Sequence, residues 1–315
     1  MEYRQRGQAG VAVSAIGLGG NTFGRIDANT SARVIHQALD LDINFIDTAD
    51  TYSHGLSEEY IGRAIADRRD AVILATKTGY PFDEGPNGQG LAYRRIVQQV
   101  EGSLRRLGTD YIDVYYLHRP DPRTPIAESL RALDDLVRAG KIRYAACSNY
   151  AGWQIAEMVE IADRRGYVPP VVSQSPDNVL DRAIEDEIVP ACAHYGLGIV
   201  PYGPLAGGFL PGKYRPGSPP PAGTRGAGSE RWQRQQLTER RFRALDVLEG
   251  FTAEHGLTVG ELAVAWLLAQ PVICSVITGA TKPEQVVANV MAADWLLSPG
   301  DLAEIERRLE EADAR

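Results

Sequence analysis

Cysteine, long apolar runs and positive charge are all scarce in this chain of 315 residues, and each scarcity argues against a class of protein. The three cysteines, Cys147, Cys192 and Cys274, are too few for a disulfide framework and lack metal-ligand spacing, which favours a cytoplasmic protein without a metal site. No apolar run reaches about 18 residues, so we expect no membrane-spanning helix. The first ten residues lack the apolar core of a signal peptide, so we expect a protein that is not exported.

Acidic residues outnumber basic ones by 41 to 33, which gives a formal net charge of -8. A general nucleic-acid binder needs a basic face, so the charge argues against that class, although a few placed cations can still hold an anionic ligand. With 44% hydrophobic residues the chain can bury a large core, which suits one large α/β domain or two ordinary ones.

Short apolar runs that end in small or polar residues alternate with helical patterns along the chain. The runs, each a predicted strand, cover residues 15–20, 44–49, 71–79, 111–120, 142–149, 170–175, 197–205 and 273–280. Between them, apolar residues recur with the spacing of one helix face. The clearest stripes are Ile96, Val97, Val100, Leu104 and Leu107; Ile126, Leu130, Leu133, Leu136 and Val137; and Ile155, Met158, Val159 and Ala162.

Four sequence pairs predict where helices begin. Thr258 with Glu261 and Thr281 with Glu284 have the spacing of a capping box. Thr124-Pro125 and Ser298-Pro299 each predict a capping residue followed by a proline at the first helical position.

Eight βα units of this kind predict an α/β fold, a (β/α)8 TIM barrel of roughly 250 residues or more, which we expect to form one domain over residues 1–315. The alternative is a doubly wound open sheet, whose glycine-rich first turn would be GLGGNTFG (17–24). That fold also needs an acidic residue about 20 residues later, at the end of a second strand, and none is suitably placed. The segment YRQRGQAGVAV (3–13) is typical of a β-hairpin, which we expect to close one end of the barrel.

A long loop is predicted after the seventh strand, over PGKYRPGSPPPAGTRGAGSER (211–231), which is rich in proline and glycine. Loops of this length are usually either functional or disordered. Lys213, Arg215, Arg225 and Arg231 give the segment local positive charge. It is therefore either a solvated insertion or a lid over an anionic ligand, and we favour the lid.

Polar or small residues end most of the predicted strands, and in a barrel the carboxyl ends of the strands carry the catalytic groups. These residues are Asp47, Lys77, His118, Ser148-Asn149, Gln174, Tyr202 and Gly279. Tyr52 lies just past Asp47 and can fold over the same face. Each residue alone has an ordinary structural explanation, such as a helix cap or a turn, but their joint placement favours an active site.

The chemistry that this set predicts is proton transfer to a carbonyl oxygen. A free tyrosine has a pKa of about 10 and is a poor acid at neutral pH. We expect Lys77 to lower the pKa of Tyr52, Asp47 to hold Lys77 in a buried ion pair, and His118 to donate a hydrogen bond to the substrate oxygen. No side chain supplies reducing equivalents, so a hydride has to come from a cofactor.

The chain resembles the aldo-keto reductases over nearly its whole length. Six ordered motifs carry the resemblance: FIDTADTY, ILATKTG, SLRRLGTDYIDVYYLHRPD, KIRYAACSNY, YGPLAGGFLPGKY and ITGATKPEQVVAN. The resemblance implies a (β/α)8 barrel that uses NADP(H). It also implies that Tyr52 is the general acid, that Lys77 adjusts its pKa, that Asp47 is the partner of Lys77, and that His118 orients the carbonyl group.

The same resemblance implies a set of cofactor-binding positions. For the nicotinamide these are Ser148, Asn149 and Gln174, with Tyr202 stacking on the ring; for the pyrophosphate, Gly203, Pro204, Leu205, Gly207 and Lys213; for the 2′-phosphate and adenine, Gly279, Thr281, Lys282, Gln285 and Asn289. Gly20, Thr22, Asp47 and Arg225 complete the set. Thr281 also marks a predicted helix N-terminus, which favours phosphate, and the charge of Lys282 favours NADP over NAD.

One stretch departs from the family pattern. Many members carry an aromatic residue in a YNLLDR-like segment after the sixth strand, where this chain has SPDNVLDR and places Asp177. We expect this carboxylate to border the substrate pocket, to disfavour anionic substrates and to suit a hydroxyl-rich one such as a sugar. The segments expected to decide the substrate are 80–92, 119–124, 177–181 and 214–236.

Three functions are compatible with the resemblance. The first is an NADPH-dependent reductase of an aldehyde, ketone or keto-sugar, which His118 favours. The second is a 2,3-enoyl reductase of nucleotide-linked deoxysugars, and the third is an NADPH-binding regulatory subunit like the β subunits of channels. The sequence leaves the substrate, the preferred direction and the oligomeric state open.

Overall fold

The computed structural model describes residues 1–5, 7 and 9–314. Its strands are β1 (Tyr3–Gln5), β2 (Ala12–Ser14), β3 (Ile16–Gly19), β4 (Phe45–Asp47), β5 (Ile73–Thr78), β6 (Ile112–Leu117), β7 (Ile142–Ser148), β8 (Val172–Gln174), β9 (Gly198–Ile199) and β10 (Val276–Gly279). Its α-helices are α1 (Ala28–Asp40), α2 (Leu56–Ala64), α3 (Tyr93–Leu107), α4 (Ile126–Arg138), α5 (Gly152–Arg165), α6 (Ile188–Tyr195), α7 (Glu230–Gln236), α8 (Glu239–His255), α9 (Val259–Leu268), α10 (Pro283–Ala292) and α11 (Pro299–Asp313).

Eight parallel strands form a barrel in the order β10-β3-β4-β5-β6-β7-β8-β9. Each predicted apolar run contains one of these strands. Parallel bridges from Ile199 to Ile273 and from Tyr202 to Ile277 join the two edges of the sheet. Parallel neighbours need a crossover segment between them, and helices supply it. The fold is therefore the predicted (β/α)8 barrel and not an open sheet.

The three predicted apolar stripes lie on α3, α4 and α5 and face the barrel. Ile96 and Val100 in α3, Leu130 and Leu133 in α4, and Ile155 in α5 are fully buried. Because these side chains meet the outward residues of the strands, they form the main core between helices and sheet. In the described part of the chain, no helix has the length and apolar composition needed to cross a membrane.

Two of the four predicted helix starts are confirmed. The Thr258 N–H donates to Glu261 Oε2 at 2.8 Å, and the Glu261 N–H donates to Thr258 Oγ1 at 3.2 Å, which completes the capping box of α9. Ser298 caps α11 ahead of Pro299, and its hydroxyl accepts from the Asp301 N–H at 3.1 Å.

The other two helix starts are each wrong by one residue. In α4 the capping position is Pro125 itself, because the Thr124 hydroxyl donates to Asp121 at 2.8 Å and does not cap the helix. In α10 the capping position is Lys282, followed by Pro283. The Thr281 N–H instead donates to Gln285 Oε1 at 2.7 Å, so Glu284 has no capping-box role.

The N-terminal hairpin lies at the amino ends of the barrel strands. β1 and β2 pair antiparallel, with Tyr3 opposite Ser14. The Ser14 N–H donates to the side chain of Asn44 at 2.8 Å, just before β4 begins. Val13 is fully buried and belongs to the cluster inside the barrel, so the hairpin covers this end. Arg6 and Gln8, which also fall in the predicted hairpin segment, lie outside the described residues.

Inside the barrel, apolar side chains give way to polar ones towards the carboxyl ends of the strands. The inner apolar cluster comprises Val13, Phe45, Ala75, Val114, Tyr116, Ala146, Val172, Val200, Cys274 and Ile277. Side chains two apart on a strand share a face. The next inward positions are therefore Asp47, Lys77, His118, Ser148, Gln174 and Tyr202. This alternation places the predicted site residues in one layer above an apolar core.

Candidate active site

A buried ion pair lies at the centre of the polar layer. Lys77 is fully buried, and its Nζ donates to Asp47 Oδ2 at 2.5 Å and to the Thr48 carbonyl at 2.7 Å. The other Asp47 oxygen accepts from Gln174 Nε2 at 3.0 Å. A buried charge is tolerated when it is paired and hydrogen-bonded. The predicted contact between Lys77 and Asp47 is therefore present in the structure.

The surroundings of Lys77 keep it protonated. Burial on its own would lower the pKa of Lys77, but the carboxylate of Asp47 and the phenol of Tyr52 oppose this. Together they raise the pKa of Lys77 above its ordinary value. The ammonium is therefore charged at neutral pH, directly beside the predicted acid.

Tyr52 is placed over Lys77 by an unusual turn. The two residues after it, Ser53 and His54, have φ values of 49° and 54°, in the left-handed region that non-glycine residues seldom adopt. Two side-chain contacts hold this turn: the Ser53 hydroxyl donates to the Phe23 carbonyl at 2.8 Å, and the His54 ring stacks on Phe82 at 4.6 Å. As a result the Tyr52 ring centre lies 5.2 Å from Lys77 Nζ.

The pKa of Tyr52 differs from the sequence-based expectation. Burial raises it, Lys77 lowers it as predicted, and the net effect is a pKa above the ordinary value of 10.0. The expected net lowering of the Tyr52 pKa is wrong, because burial destabilises the phenolate more than the nearby ammonium of Lys77 stabilises it. The phenol is thus protonated at neutral pH, which a proton donor requires.

His118 is neutral and faces Tyr52. Burial, followed by the charges of Lys77 and Arg119, lowers the pKa of His118 to about 2. Its ring lies 6.0 Å from that of Tyr52 and 4.7 Å from that of Tyr80, edge to face in both cases. Within the described residues Nδ1 is enclosed and has no partner, so a proton is better placed on Nε2, where it can be donated to a ligand.

A chain of amide and hydroxyl groups continues the layer from His118 to Tyr202. Asn149 has a φ of 63°, a conformation that asparagine tolerates better than most residues. Its Nδ2 donates to the His118 carbonyl at 2.9 Å and to Ser148 Oγ at 3.0 Å, and its Oδ1 accepts from the Tyr202 hydroxyl at 2.9 Å. With Gln174 bonded to Asp47, the predicted nicotinamide-binding residues therefore form one network with the predicted catalytic ones.

The segment predicted to bind a pyrophosphate forms a tight turn after β9. Pro204 and Leu205 lead into it, and Ala206, Gly207 and Gly208 have φ values of 48°, 65° and 91°. The Ala206 N–H donates to the Gly203 carbonyl at 3.0 Å and the Gly208 N–H donates to the Leu205 carbonyl at 2.8 Å, so these two backbone donors are used within the turn. The predicted residue Gly203 also has a positive φ, of 74°.

Cationic and N–H groups from the long loop surround this turn. A Cβ on Gly207 would lie 2.7 Å from Trp232 Nε1 and 3.4 Å from an Arg225 nitrogen, and one on Gly208 would lie 3.2 Å from Lys213 Nζ. Trp232 Nε1 is buried and has no partner among the described residues. These donors fit the pyrophosphate of a dinucleotide. Trp232 was not predicted, although a lone tryptophan next to the Pro/Gly-rich stretch was a usable signal.

The long loop packs on aromatic side chains and is not a loosely attached insertion. Tyr214 is 2% exposed, and its ring lies 4.8 Å from that of Trp232 and 6.5 Å from that of Phe209. The Tyr214 hydroxyl also accepts from the Gly226 N–H at 3.2 Å. The loop ends in α7, which the sequence did not predict. Its role as a lid over an anionic ligand stays a prediction.

The residues predicted for the 2′-phosphate and adenine lie where the first and last strands meet. The Thr22 hydroxyl donates to the Ala280 carbonyl at 2.9 Å, which joins the loops after β3 and β10. Lys282, Gln285 and Asn289 follow on α10, and Lys282 is exposed, with no ion pair in the described part of the chain. Gly279 is also exposed.

Gly20 has a packing explanation that does not involve a ligand. A Cβ at this position would lie 2.8 Å from Ser57 Oγ and 3.1 Å from the Asp47 carbonyl. Glycine is therefore required for the close approach of the first loop to β4, and a cofactor contact at Gly20 stays a prediction.

Asp177 is a buried carboxylate beside the charged segment that leads into α6. It is 2% exposed, and its N–H donates to the Tyr202 carbonyl at 3.3 Å. Burial, followed by the charge of Glu185, raises the pKa of Asp177 to about 7, and Arg182 partly opposes this. These charged groups belong to the segment leading into α6 and not to the layer of Lys77 and His118. The expectation that this carboxylate repels anionic substrates has no support in its position.

Asp177→Asn is expected to stabilise the protein in a pH-dependent way. The pKa of Asp177 is raised from 3.8 to about 7 in the folded state. Ionisation of Asp177 therefore does not lower the free energy of unfolding well below pH 3.8. It lowers this free energy progressively between pH 3.8 and about 7, and most above about 7. After allowance for solvent screening, we expect the variant to be about 1 to 2 kcal/mol more stable than the parent at pH 8.

The measurement is urea unfolding of parent and variant at pH 4.5 and pH 8. Asp186, an exposed aspartate in the segment before α6, provides the control, since Asp186→Asn should change stability equally at both values. A gain from Asp177→Asn that is the same at both values would mean that Asp177 is already ionised in the folded protein at pH 4.5.

Known proteins resemble this chain over almost its whole length. The Aldo/keto reductase family matches residues 15–310. A probable voltage-gated potassium channel subunit beta of Oryza sativa subsp. japonica is 37% identical over 97% of this chain and 96% of its own. An uncharacterized oxidoreductase of Bacillus subtilis (strain 168) is 38% identical over 93% and 91%, and the L-glyceraldehyde 3-phosphate reductase of Escherichia coli (strain K12) is 32% identical over 99% and 94%.

The family match covers far more than half of the chain, and the fold and the polar layer described above agree with it. The protein therefore belongs to the aldo-keto reductase family of oxidoreductases, which generally use nicotinamide cofactors on small-molecule carbonyl substrates.

Proposed function

We propose that the protein is an NADPH-dependent carbonyl reductase that acts on an aldehyde, a ketone or a keto-sugar, with residues 1–315 as one domain in the cytoplasm. One observation carries the proposal: a protonated Tyr52 and a neutral His118 face each other above the buried Lys77–Asp47 pair. A protonated donor, a neutral polarising group and a fixed cation are what protonation of a developing alkoxide requires.

The four residues have separate roles in this reaction. His118 donates a hydrogen bond from Nε2 to the carbonyl oxygen and polarises it. Tyr52 gives its phenolic proton to that oxygen as the carbonyl carbon gains a hydride, which yields the alcohol, and recovers a proton from water. Lys77 stabilises the phenolate in the interval, and Asp47 keeps Lys77 charged and in place. The nicotinamide cofactor supplies the hydride when it is bound.

The cofactor is expected to lie across the carboxyl ends of the strands. Ser148, Asn149 and Gln174 would hold the nicotinamide amide, with Tyr202 against its ring. The turn at 203–208 would hold the pyrophosphate together with Lys213, Arg225 and Trp232. The start of α10 would hold the 2′-phosphate and adenine. The Trp232 N–H and the Lys282 ammonium, both without a partner among the described residues, support this assignment.

Lys282 is expected to set the preference for NADPH. It caps a helix whose N-terminus favours a phosphate, and its ammonium adds a charge-assisted contact that NADH cannot make. Such a contact is worth about 1.5 to 3 kcal/mol, so we expect NADPH to bind at least about tenfold more tightly than NADH. Lys282→Ala should weaken NADPH binding selectively, as measured by fluorescence titration of both cofactors.

Lys141, which lies at the amino end of β7 and pairs with Glu101, provides a control, because Lys141→Ala removes the same charge away from the carboxyl ends of the strands. Equal losses for the two cofactors in Lys282→Ala would mean that Lys282 does not contact the 2′-phosphate. A parent protein that prefers NADH would overturn the cofactor assignment.

Turnover tests the proposal against its two alternatives. The parent should oxidise NADPH with a panel of aldehydes, ketones and keto-sugars. Consumption of NADPH only with α,β-unsaturated sugar nucleotides would favour an enoyl reductase. If the protein binds NADPH tightly and turns over neither panel, a regulatory role would be favoured. The similarity to a probable channel β subunit is the reason for testing this alternative. The reductase among the relatives makes L-glyceraldehyde 3-phosphate a first substrate to try.

A further inference from the structure

Arg119 is a cation at the rim of the site that has no part in the mechanism above. It follows His118 directly, just beyond β6, and is partly buried. Its guanidinium lies over the Tyr80 ring, 4.3 Å from the ring centre. Tyr80 in turn contacts His118 edge to face at 4.7 Å. The Tyr80 ring therefore lies between Arg119 and His118, the residue assigned to the carbonyl oxygen.

No acidic group among the described residues neutralises Arg119. Within that part of the chain it makes neither an ion pair nor a hydrogen bond, and it contacts the Tyr80 ring instead. The acid on the same loop, Asp121, accepts from the Leu91 N–H at 2.9 Å and from Thr124 at 2.8 Å, and it pairs with Arg123. Arg119 thus has no ion-pair partner among the described residues beside the site.

The contact with Tyr80 leaves Arg119 able to bind a ligand. The guanidinium carbon lies 4.3 Å from the ring centre, and the N–H donors of Arg119 have no acceptor among the described residues. Edge donors in this fixed fork match the oxygens of a carboxylate or a phosphate. The ring therefore holds the cation in place without using its hydrogen bonds.

The acidic groups described in and near the polar layer interact with groups other than Arg119. Asp47 is paired with Lys77, and His118 is neutral. Asp177, the carboxylate that the sequence predicted at the pocket, interacts with the segment before α6 instead. Arg119 therefore places a positive charge next to His118 that has no ion-pair partner among the described residues.

We propose that Arg119 binds an anionic group of the substrate, a carboxylate or a phosphate, while the carbonyl oxygen of the same molecule lies at Tyr52 and His118. The proposal rests on carbonyl reduction as the function and names its substrate class: a small aldehyde or ketone with an anionic group a few bonds from the carbonyl carbon. Tyr80 positions the guanidinium and does not touch the reacting atoms.

Two aromatic aldehydes of similar shape and different charge provide the kinetic test. 4-Carboxybenzaldehyde carries an anion where 4-nitrobenzaldehyde carries a neutral group. In Arg119→Gln, kcat/KM for the carboxylate is expected to fall about tenfold, mainly through KM, while the nitro compound changes little. Each aldehyde is compared only with itself between parent and variant, so their different intrinsic reactivities cancel.

Two further variants separate charge from structure. Arg119→Lys keeps the charge and should recover part of the preference for the carboxylate. Arg123→Gln removes an arginine from the same loop that is already paired with Asp121, so it should affect both aldehydes equally. Equal losses for the two aldehydes in Arg119→Gln would overturn the anion site. Glyceraldehyde 3-phosphate and glyceraldehyde, compared in the same way, distinguish a phosphate from a carboxylate preference.

A binding measurement keeps this inference separate from the proposed reaction. The unreactive products 4-(hydroxymethyl)benzoate and 4-nitrobenzyl alcohol are titrated calorimetrically into parent and Arg119→Gln, each with NADPH present. A loss of about tenfold in benzoate affinity alone would support the anion site even if the parent turned over no carbonyl compound. Benzoate affinity that does not depend on Arg119 would overturn it whatever the activity.

Discussion

Tyr52→Phe is expected to remove most turnover and to leave NADPH binding nearly intact. The phenol acts where charge develops on the carbonyl oxygen, so its loss should appear in the chemical step and not in cofactor affinity. General acid catalysis typically contributes about 10²- to 10⁴-fold, and we expect kcat to fall within that range. Steady-state kinetics with a reactive aldehyde measure the first effect, and fluorescence titration with NADPH measures the second.

Tyr60→Phe is the matched control, since it removes one phenol from α2, close in sequence but outside the polar layer. Its turnover should equal that of the parent. Turnover of Tyr52→Phe within about twofold of the parent would remove Tyr52 from the role of acid, because loss of a group that donates in the transition state has to slow the reaction far more.

Lys77→Met is expected to damage both activity and stability. Without the ammonium, the developing phenolate of Tyr52 loses its stabilising charge, and Asp47 is left as a buried carboxylate with Gln174 as its remaining side-chain partner among the described residues. Breaking a buried ion pair on one side typically costs about 3 to 5 kcal/mol. We therefore expect loss of turnover together with a lower midpoint of urea unfolding.

The double variant Lys77→Met/Asp47→Asn separates the two effects. Removing the orphaned charge should restore much of the lost stability, since replacing both partners of a buried pair is far less costly than removing one. It should not restore turnover. An active Lys77→Met with the stability of the parent would mean that the contact between Lys77 and Asp47 has no role in either property.

The parts of this protein that could be predicted from sequence are those that depend on local periodicity. Each strand is an apolar run, because its side chains fill the space between barrel and helices. Every second side chain of a strand points inward. The polar residues that end the runs, such as Asp47 and Lys77, were therefore expected to lie together in one layer at the carboxyl ends of the strands. The contact between Lys77 and Asp47 follows from that geometry.

The features that were missed depend on distant segments. The direction of the Tyr52 pKa is set by how deeply the loops bury the phenol, and no local pattern gives that depth. Asp177 is buried and interacts with charged groups of the segment before α6, which an irregular segment after a strand does not reveal. Trp232 reaches Gly207 only because the long loop folds back on Tyr214.

The closed amino end of the barrel has a consequence for the order of events during turnover. Within the described residues, the hairpin and the apolar layer around Val13 and Phe45 cover the barrel below Lys77, so a cofactor and a substrate that bind at the polar layer would enter and leave past the loops at the opposite end. Two molecules that share one entrance cannot exchange independently when one lies beneath the other. The kinetics should therefore be sequential and ordered, with the deeper ligand arriving first and departing last.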